Sequence, residues 1–259
     1  MIKKQDLLLK SDFIKNVFTL LSGATIAQII ALIAIPILTR IYTPEDFGFI
    51  AIYLSITNII AAISTGRFEL AIMLPKKKEN ALAIFKGTYR IVLITSLVSV
   101  CVIFIIKSLN NNLSDFIKPT YFFFLPLSIF IVGMISVFIQ WYNRQKQFRF
   151  QAKTKIVKSS SNSIINISLG FALNLNSVGL FFGHIAGQAM QLIMFVSNFF
   201  KEEKENLKTI DRSTIKKQLK ENRNFPYFSA PMAFLNAISV DILIYVLNLF
   251  YSTSLVGLY

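Results

Sequence analysis

The sequence predicts an all-α, polytopic transmembrane helix bundle. Three observations predict it. Of the 259 residues, 54% are hydrophobic and 15% are charged, with 25 phenylalanines. Soluble domains carry about 25% charge. Long intervals lack Asp, Glu, Lys and Arg altogether, and the Lys and Arg that remain fall between alternate intervals. Strands of a membrane barrel would show alternating ten-residue segments, and none is present. In water-free lipid the backbone must satisfy itself, which leaves helices.

A crossing helix needs about 20 mainly apolar residues. The uncharged intervals 16–39 and 47–66 give the first two spans. The third, 91–106, extends back past Arg90, because long cations can snorkel. The fourth lies in 119–143. The interval 159–200 is uncharged over 42 residues, enough for two crossings, with the turn at "NLNS" (174–177). The expected six-helix N-terminal bundle therefore occupies 1–200, with helices near 16–41, 47–66, 88–107, 119–142, 157–174 and 177–200. A charged segment, 201–224, follows and reads as a solvated linker, with an amphipathic helix as the alternative. A seventh helix near 226–250 and the start of an eighth open a second bundle over 225–259.

Lys and Arg mark the cytoplasmic side of short loops. With the N-terminus inside, the inner segments hold 24 of the 27 basic residues, and only Arg40, Lys107 and Lys118 fall outside. This distribution explains the net charge of +14 without a nucleic-acid partner. The basic stretch 144–158, with Phe148 and Phe150 interleaved, suits either a positive-inside loop or contact with anionic lipid headgroups. The first span is too long for a signal peptide and is expected to be retained. Cys101 is the only cysteine and His184 the only histidine, so neither a disulfide within the chain nor a multi-histidine metal site can form.

Four charged residues are candidate site residues. Arg67 and Glu69 interrupt an apolar stretch, "TGRFELAIMLPKKK", before its lysine stop. On a helix continuing to Leu74 they would point about 200° apart, one to a cavity and one to packing or interface, rather than form a salt bridge. Alternatively the helix ends at Gly66 and Arg67 is an interfacial anchor. Asp241 has 17 uncharged residues before it and 18 after it. A charge so placed faces protein or water. It suits a coupling carboxylate, a hydrogen bond to sugar, or a structural partner for a neighbouring helix. Arg40 ends the first span and reads as an interfacial anchor. Gly179, Gly183 and Gly187 form a close-packing stripe, beside which His184 reads as a satisfied core residue. Pro36, Pro126 and Pro231 fall within spans as candidate kinks.

Four stretches carry a resemblance: "PILTRIYTPEDFG" (36–48), "GRFELAIMLP" (66–75), "WYNRQKQFRFQAKTKIVKS" (141–159) and "NFPYFSAPMAFLNAISVDILIYVL" (224–247). In this order the chain resembles the polysaccharide biosynthesis or O-antigen (Wzx-like) flippases of the multidrug/oligosaccharidyl-lipid/polysaccharide exporter superfamily. The resemblance implies a multi-pass protein of the bacterial inner membrane. Its implied substrate is a lipid-linked oligosaccharide repeat unit on undecaprenyl pyrophosphate, flipped by alternating access for O-antigen, lipopolysaccharide or capsule synthesis. Membrane lipids and other polysaccharide assembly proteins are the implied partners. It implies no cofactor and leaves proton or sodium coupling open. It suggests an outer-gate role for Arg40. Members are about twice this length, so the chain reads as a fragment holding one bundle and the start of another. The alternatives are a drug or metabolite exporter of the same superfamily and a membrane-embedded glycosyltransferase or polymerase. Acid–base chemistry wants a paired or flanked group in a solvated site, and no such cluster stands near an external face, so the expectation is a transporter and not an enzyme.

Overall fold

A computed structural model describes the backbone of residues 2–109, 121, 123–173 and 176–259, and the side chains within 18–105, 108, 121, 123–171 and 177–259. Among these residues every regular element is helical: α1 (Ile2–Ile41), α2 (Pro44–Ser64), the single turn α3 (Phe68–Ala71), α4 (Lys78–Leu109), α5 (Leu125–Arg144), α6 (Phe148–Leu173), α7 (Asn176–Lys208), α8 (Arg212–Glu221), a π-helical turn (Phe225–Ser229), α9 (Ala230–Phe250) and α10 (Thr253–Leu258). Residues 110–118 of the expected outer loop and 174–175 of the expected turn lie outside the described residues.

Six described helical segments are long and apolar enough to cross a membrane: Phe18–Ile41, Pro44–Ser64, Lys78–Ile105, Leu125–Arg144, Ser177–Lys208 and Phe225–Phe250. Helix α6 is not among them. It forms where the fifth crossing is expected, but its run of serines and asparagines, 159–163, dilutes its apolar character.

Local sequence explains the helix starts. Thr43 caps α2, its hydroxyl accepting from the Asp46 amide at 3.3 Å while the Asp46 carboxylate accepts from the Thr43 amide at 3.0 Å. This is a reciprocal capping box. Pro44 sits where its missing N–H costs nothing, and Glu45 and Asp46 face the positive end of the helix dipole. Pro126 likewise occupies the first turn of α5 and kinks nothing there; Pro36 is interior to α1.

The charged loops gather at one end, called here the basic end. Two cores lie between that end and the other. Near the basic end, Phe85, Phe138, Trp141, Phe195 and Phe199 interleave, with the Phe85 and Phe199 rings stacked at 4.4 Å. Near the other end, Tyr42, Tyr53, Tyr121 and Phe181 do the same. Helix α1 packs on α6 closely enough that a β-carbon at Gly23 would stand 2.3 Å from that of Ala152. The glycine stripe on α7 makes room for neighbours: Gly179 for the Tyr42 ring, Gly183 for Asn166 and Gly187 for the α6 backbone at Lys158.

The 201–224 segment takes the amphipathic-helix alternative, packed on one face and exposed on the other. Helix α7 runs on to Lys208, and α8 buries Ile215 and presses Leu219 against Gly87 of α4. Glu203 is almost fully buried, its two oxygens taken by Lys78 Nζ at 2.7 Å and by the Asn206 amide at 2.8 Å. Lys86 Nζ donates to the carbonyls of Leu207 and Ile210, at 3.2 and 3.3 Å, closing the C-terminal end of α7. These contacts bury too much to leave the segment free in water.

Helices α9 and α10 lie along α2. The Tyr245 ring of α9 reaches α2, its hydroxyl accepting from Ser55 at 2.9 Å. At the far end α10 meets α2 backbone to backbone. A β-carbon on Gly48 would fall 1.9 Å from the Thr253 carbonyl, and one on Gly257 would fall 1.7 Å from the Pro44 carbonyl. The remaining faces of α9 are open, including Met232, Leu235, Val240 and Leu249.

Candidate functional site

Helix α2 stops at Ser64 and does not run on to Leu74. Gly66 and Arg67 both take the left-handed conformation, with φ of 58° and 59°. Glycine accepts this without cost; a side chain at position 67 does not. The Thr65 hydroxyl accepts from the Arg67 amide at 3.1 Å and steadies the break. The chain then forms the single turn Phe68–Ala71, with Phe68 buried.

Of the two expectations for this stretch, the helix ending at Gly66 holds, and the break corrects the expectation that Arg67 and Glu69 do not pair. They do form an ion pair, Nη1 to Oε1 at 3.3 Å. The 100° per residue of a helix does not apply across a left-handed residue, so the two side chains can meet. The Glu69 side chain is 5% exposed and that of Arg67 is 32% exposed. Arg67 Nε and Glu69 Oε2 are buried with no hydrogen-bond partner. The arrangement is one buried carboxylate holding a guanidinium whose outer part reaches the surface.

Two other segments close around this break. Arg144, the last residue of α5, donates to the carbonyls of Ile72, Met73 and Lys76 at 3.2, 3.3 and 3.4 Å. It thereby holds the irregular strand of chain between α3 and α4, whose carbonyls have no helical partners. The π turn Phe225–Ser229 packs on the other side, and a β-carbon at Gly66 would lie 3.9 Å from that of Pro226. The stretches around 66–75, 141–144 and 224–229 are far apart in sequence and adjacent here.

The other two candidates stand elsewhere. Arg40 is exposed in the last turn of α1, at the opposite end of α2, which is about 30 Å long. Asp241 is half-buried on the stripe of α9 that faces α2, one turn from Tyr245. It lies sixteen residues beyond Phe225, about 24 Å along the helix from the basic end. It makes no hydrogen bond or ion pair with another described residue. The four residues do not form one site: Arg67 and Glu69 meet, while Asp241 and Arg40 stand apart from them and from each other.

One polar group was missed from the sequence. Asn162, Ser163 and Asn166 of α6 and His184 of α7 line a cavity of about 220 Å³, closed by apolar residues of α1 and α2. His184 Nε2 and the Gln188 amide nitrogen are 2.7 Å apart, and the other Gln188 amide atom is buried without a partner. The run "SSSNSIIN" within an otherwise apolar interval was the available signal. No group of three His, Cys, Asp or Glu side chains among the described residues is placed to hold a metal ion.

Fold and charge together define a multi-pass α-helical membrane protein with its irregular, charged chain segments gathered at one end. Residues 13–259 match the family model described as polysaccharide biosynthesis protein. The chain belongs to that family, whose members include the Wzx-like flippases. Comparison with curated proteins and with solved structures gives no match.

Proposed function

We infer that this chain is the flippase part of a polysaccharide assembly route: it carries lipid-linked oligosaccharide repeat units, on an undecaprenyl pyrophosphate carrier, across the bacterial inner membrane. The observation that carries this reading is the family match over 13–259, with three of the shared motifs meeting around Arg67. In this reading the basic end faces the cytoplasm and the N-terminus is inside. O-antigen, lipopolysaccharide or capsule units are the cargo.

The chemistry suits an anionic headgroup. A guanidinium presents a planar fork that matches phosphate geometry. Glu69 fixes its orientation and restrains its charge when no substrate is present. A pyrophosphate arriving at the exposed part of Arg67 competes for the same donors with more charge than one carboxylate. Removing both partners' water in a low-dielectric mouth strengthens that contact. In this reading Asp241, further along the α2–α9 seam, is the carboxylate that couples transport to protons or sodium, and Arg40 belongs to the outer gate. Alternating access would move the cargo from the first contact to the far side, with α9 and α10 shifting along α2.

The test is surface polysaccharide in cells whose only copy of the transporter carries Arg67→Ala or Asp241→Asn. Both variants at normal membrane abundance should lower surface polysaccharide and accumulate lipid-linked units on the inner leaflet. Normal polysaccharide with altered resistance to cationic drugs would instead assign the protein to the exporters. Release of free sugar from the carrier by the purified protein would assign it to the enzymes.

A further inference from the structure

A second cavity lies away from the α2–α9 seam, between α4, α5 and α7. Its volume is about 420 Å³. Phe130, Met134 and Phe138 form its α5 wall, and Tyr89 and Phe200 are exposed at its rim. No residue of α2, α9 or α10 lines it. Along α7 its lining runs from Leu192 to Leu207, about 22 Å of helix. Half of a bilayer's hydrocarbon core is about 15 Å deep. Its α7 wall is thus as long as one leaflet is deep.

Its charges are all at the basic end. Lys86 is the one charged residue of the lining, and two of its three donors are taken by the carbonyls at the end of α7. The third is left for another acceptor. Arg90, one turn later on α4, lies away from the basic end beside the Tyr89–Phe130 contact and takes no part in this charge. Lys204 is exposed on α7 between Phe200 and Leu207, at the spacing that puts all three on one face. Of the neighbouring carboxylates, Glu203 is turned inward and held by Lys78, Glu202 accepts from Gln147 and Asn198, and Glu205 pairs with Lys208. The result is a hydrocarbon slot with two cations, Lys86 and Lys204, at its basic end.

We propose that this slot binds one anionic glycerophospholipid of the leaflet at the basic end, with an acyl chain between Phe130 and Val196 and its phosphate against Lys86 and Lys204. A polyprenyl carrier shares this chemistry, but the slot is separated from Arg67 and the α2–α9 seam and is sized for a single short chain. Lipid binding here braces α4 against α7, which meet near the basic end through the Phe85–Phe199 stack, Lys86 and the Lys78–Glu203 pair.

The test is native mass spectrometry of the purified full chain with phosphatidylglycerol, phosphatidylcholine or a polyprenyl phosphate added. Phosphatidylglycerol should be retained at least about fivefold better than phosphatidylcholine, and Lys204→Ala should remove about fivefold, the effect of one lysine at an anionic surface. Val196→Phe fills the slot and should lower retention of both phospholipids while the melting temperature stays at the wild-type value. Equal retention of the two phospholipids overturns the proposal. So does unchanged retention in Lys204→Ala, a surface change that does not disturb folding. Preferential retention of polyprenyl phosphate, lost in Val196→Phe, also overturns it and gives the slot to the carrier.

Discussion

Arg67 Nη1 stands 3.3 Å from Glu69 Oε1, across a left-handed residue that ends α2. The pair is asymmetric: the carboxylate is buried and the guanidinium is partly in contact with the surroundings. Removing the arginine strands a buried charge, while removing the carboxylate leaves an arginine that can turn outward. Arg67→Ala should therefore destabilise the protein by about 1–3 kcal/mol, less than the 3–5 of a fully buried pair. Glu69→Gln should cost less, and the double variant should recover part of the Arg67→Ala loss. Denaturant unfolding in detergent reads all three; equal costs for the two single variants would contradict the asymmetry.

The break itself depends on Gly66. With φ at 58° and a Phe68 ring atom 3.3 Å from where a β-carbon would stand, Gly66→Ala should cost about 1–2 kcal/mol. The same change should weaken the Arg67–Glu69 pair, so Gly66→Ala and Glu69→Gln should be less than additive. Strict additivity in a double-mutant cycle would show that the turn does not position the pair.

At the opposite end, α2 and α10 touch backbone to backbone at Gly48 and Gly257. A β-carbon at Gly48 meets a carbonyl oxygen, which cannot swing away as a side-chain tip can. Gly48→Ala should lower the unfolding midpoint, by roughly 1–3 kcal/mol of overpacking, and should increase protease cleavage after Phe250. An unchanged cleavage pattern would mean that α10 does not depend on this contact.

Asp211 caps α8. The Ser213 hydroxyl bonds its carboxylate and, with the backbone amides of Arg212 and Ser213, holds its pKa below the ordinary 3.8. A lowered folded value means that stability is gained when the group is ionised. The contribution is complete above the ordinary value and is lost as pH falls through the folded one. Protection of the α8 amides, taken relative to the intrinsic exchange rate at each pH, should be higher at pH 6 than near pH 3. Asp211→Ala should be weakly protected at both, and a wild-type protection indifferent to pH would contradict the cap.

Much of the fold is legible in the sequence, for physical reasons that also explain the failures. "TPED" announces the start of α2 because a capping box is local chemistry. The uncharged intervals announce the crossings because charge in hydrocarbon is costly. The Arg67–Glu69 pair is illegible to any argument that assumes an unbroken helix; Gly66, a residue free to reverse the turn, was the only hint. The packing of 201–224 was hidden because its apolar residues, Ile210, Ile215 and Leu219, are few among many charges. Its partners on α4 lie more than a hundred residues away. The proximity of 66–75, 141–144 and 224–229 is a property of the bundle that no single motif contains.

Orientation has a direct check. In a Cys101→Ser background, cysteines replacing Lys77 and Ser254 stand at opposite ends of the bundle. In intact cells an impermeant maleimide should label the Ser254 position only, and both after permeabilisation. Labelling of the Lys77 position in intact cells would reverse the topology.

The central claim is transport of an anionic, lipid-linked glycan past Arg67. Its most direct test is translocation in proteoliposomes, with a fluorescent oligosaccharide-pyrophosphoryl-polyprenol and an impermeant quencher reporting the leaflet it occupies. The account predicts that the protein equilibrates the lipid between leaflets. Arg67→Ala should slow this at least about tenfold, the loss expected for one charge-assisted contact to phosphate. A wild-type rate no faster than that of protein-free liposomes, with the protein folded, would contradict it.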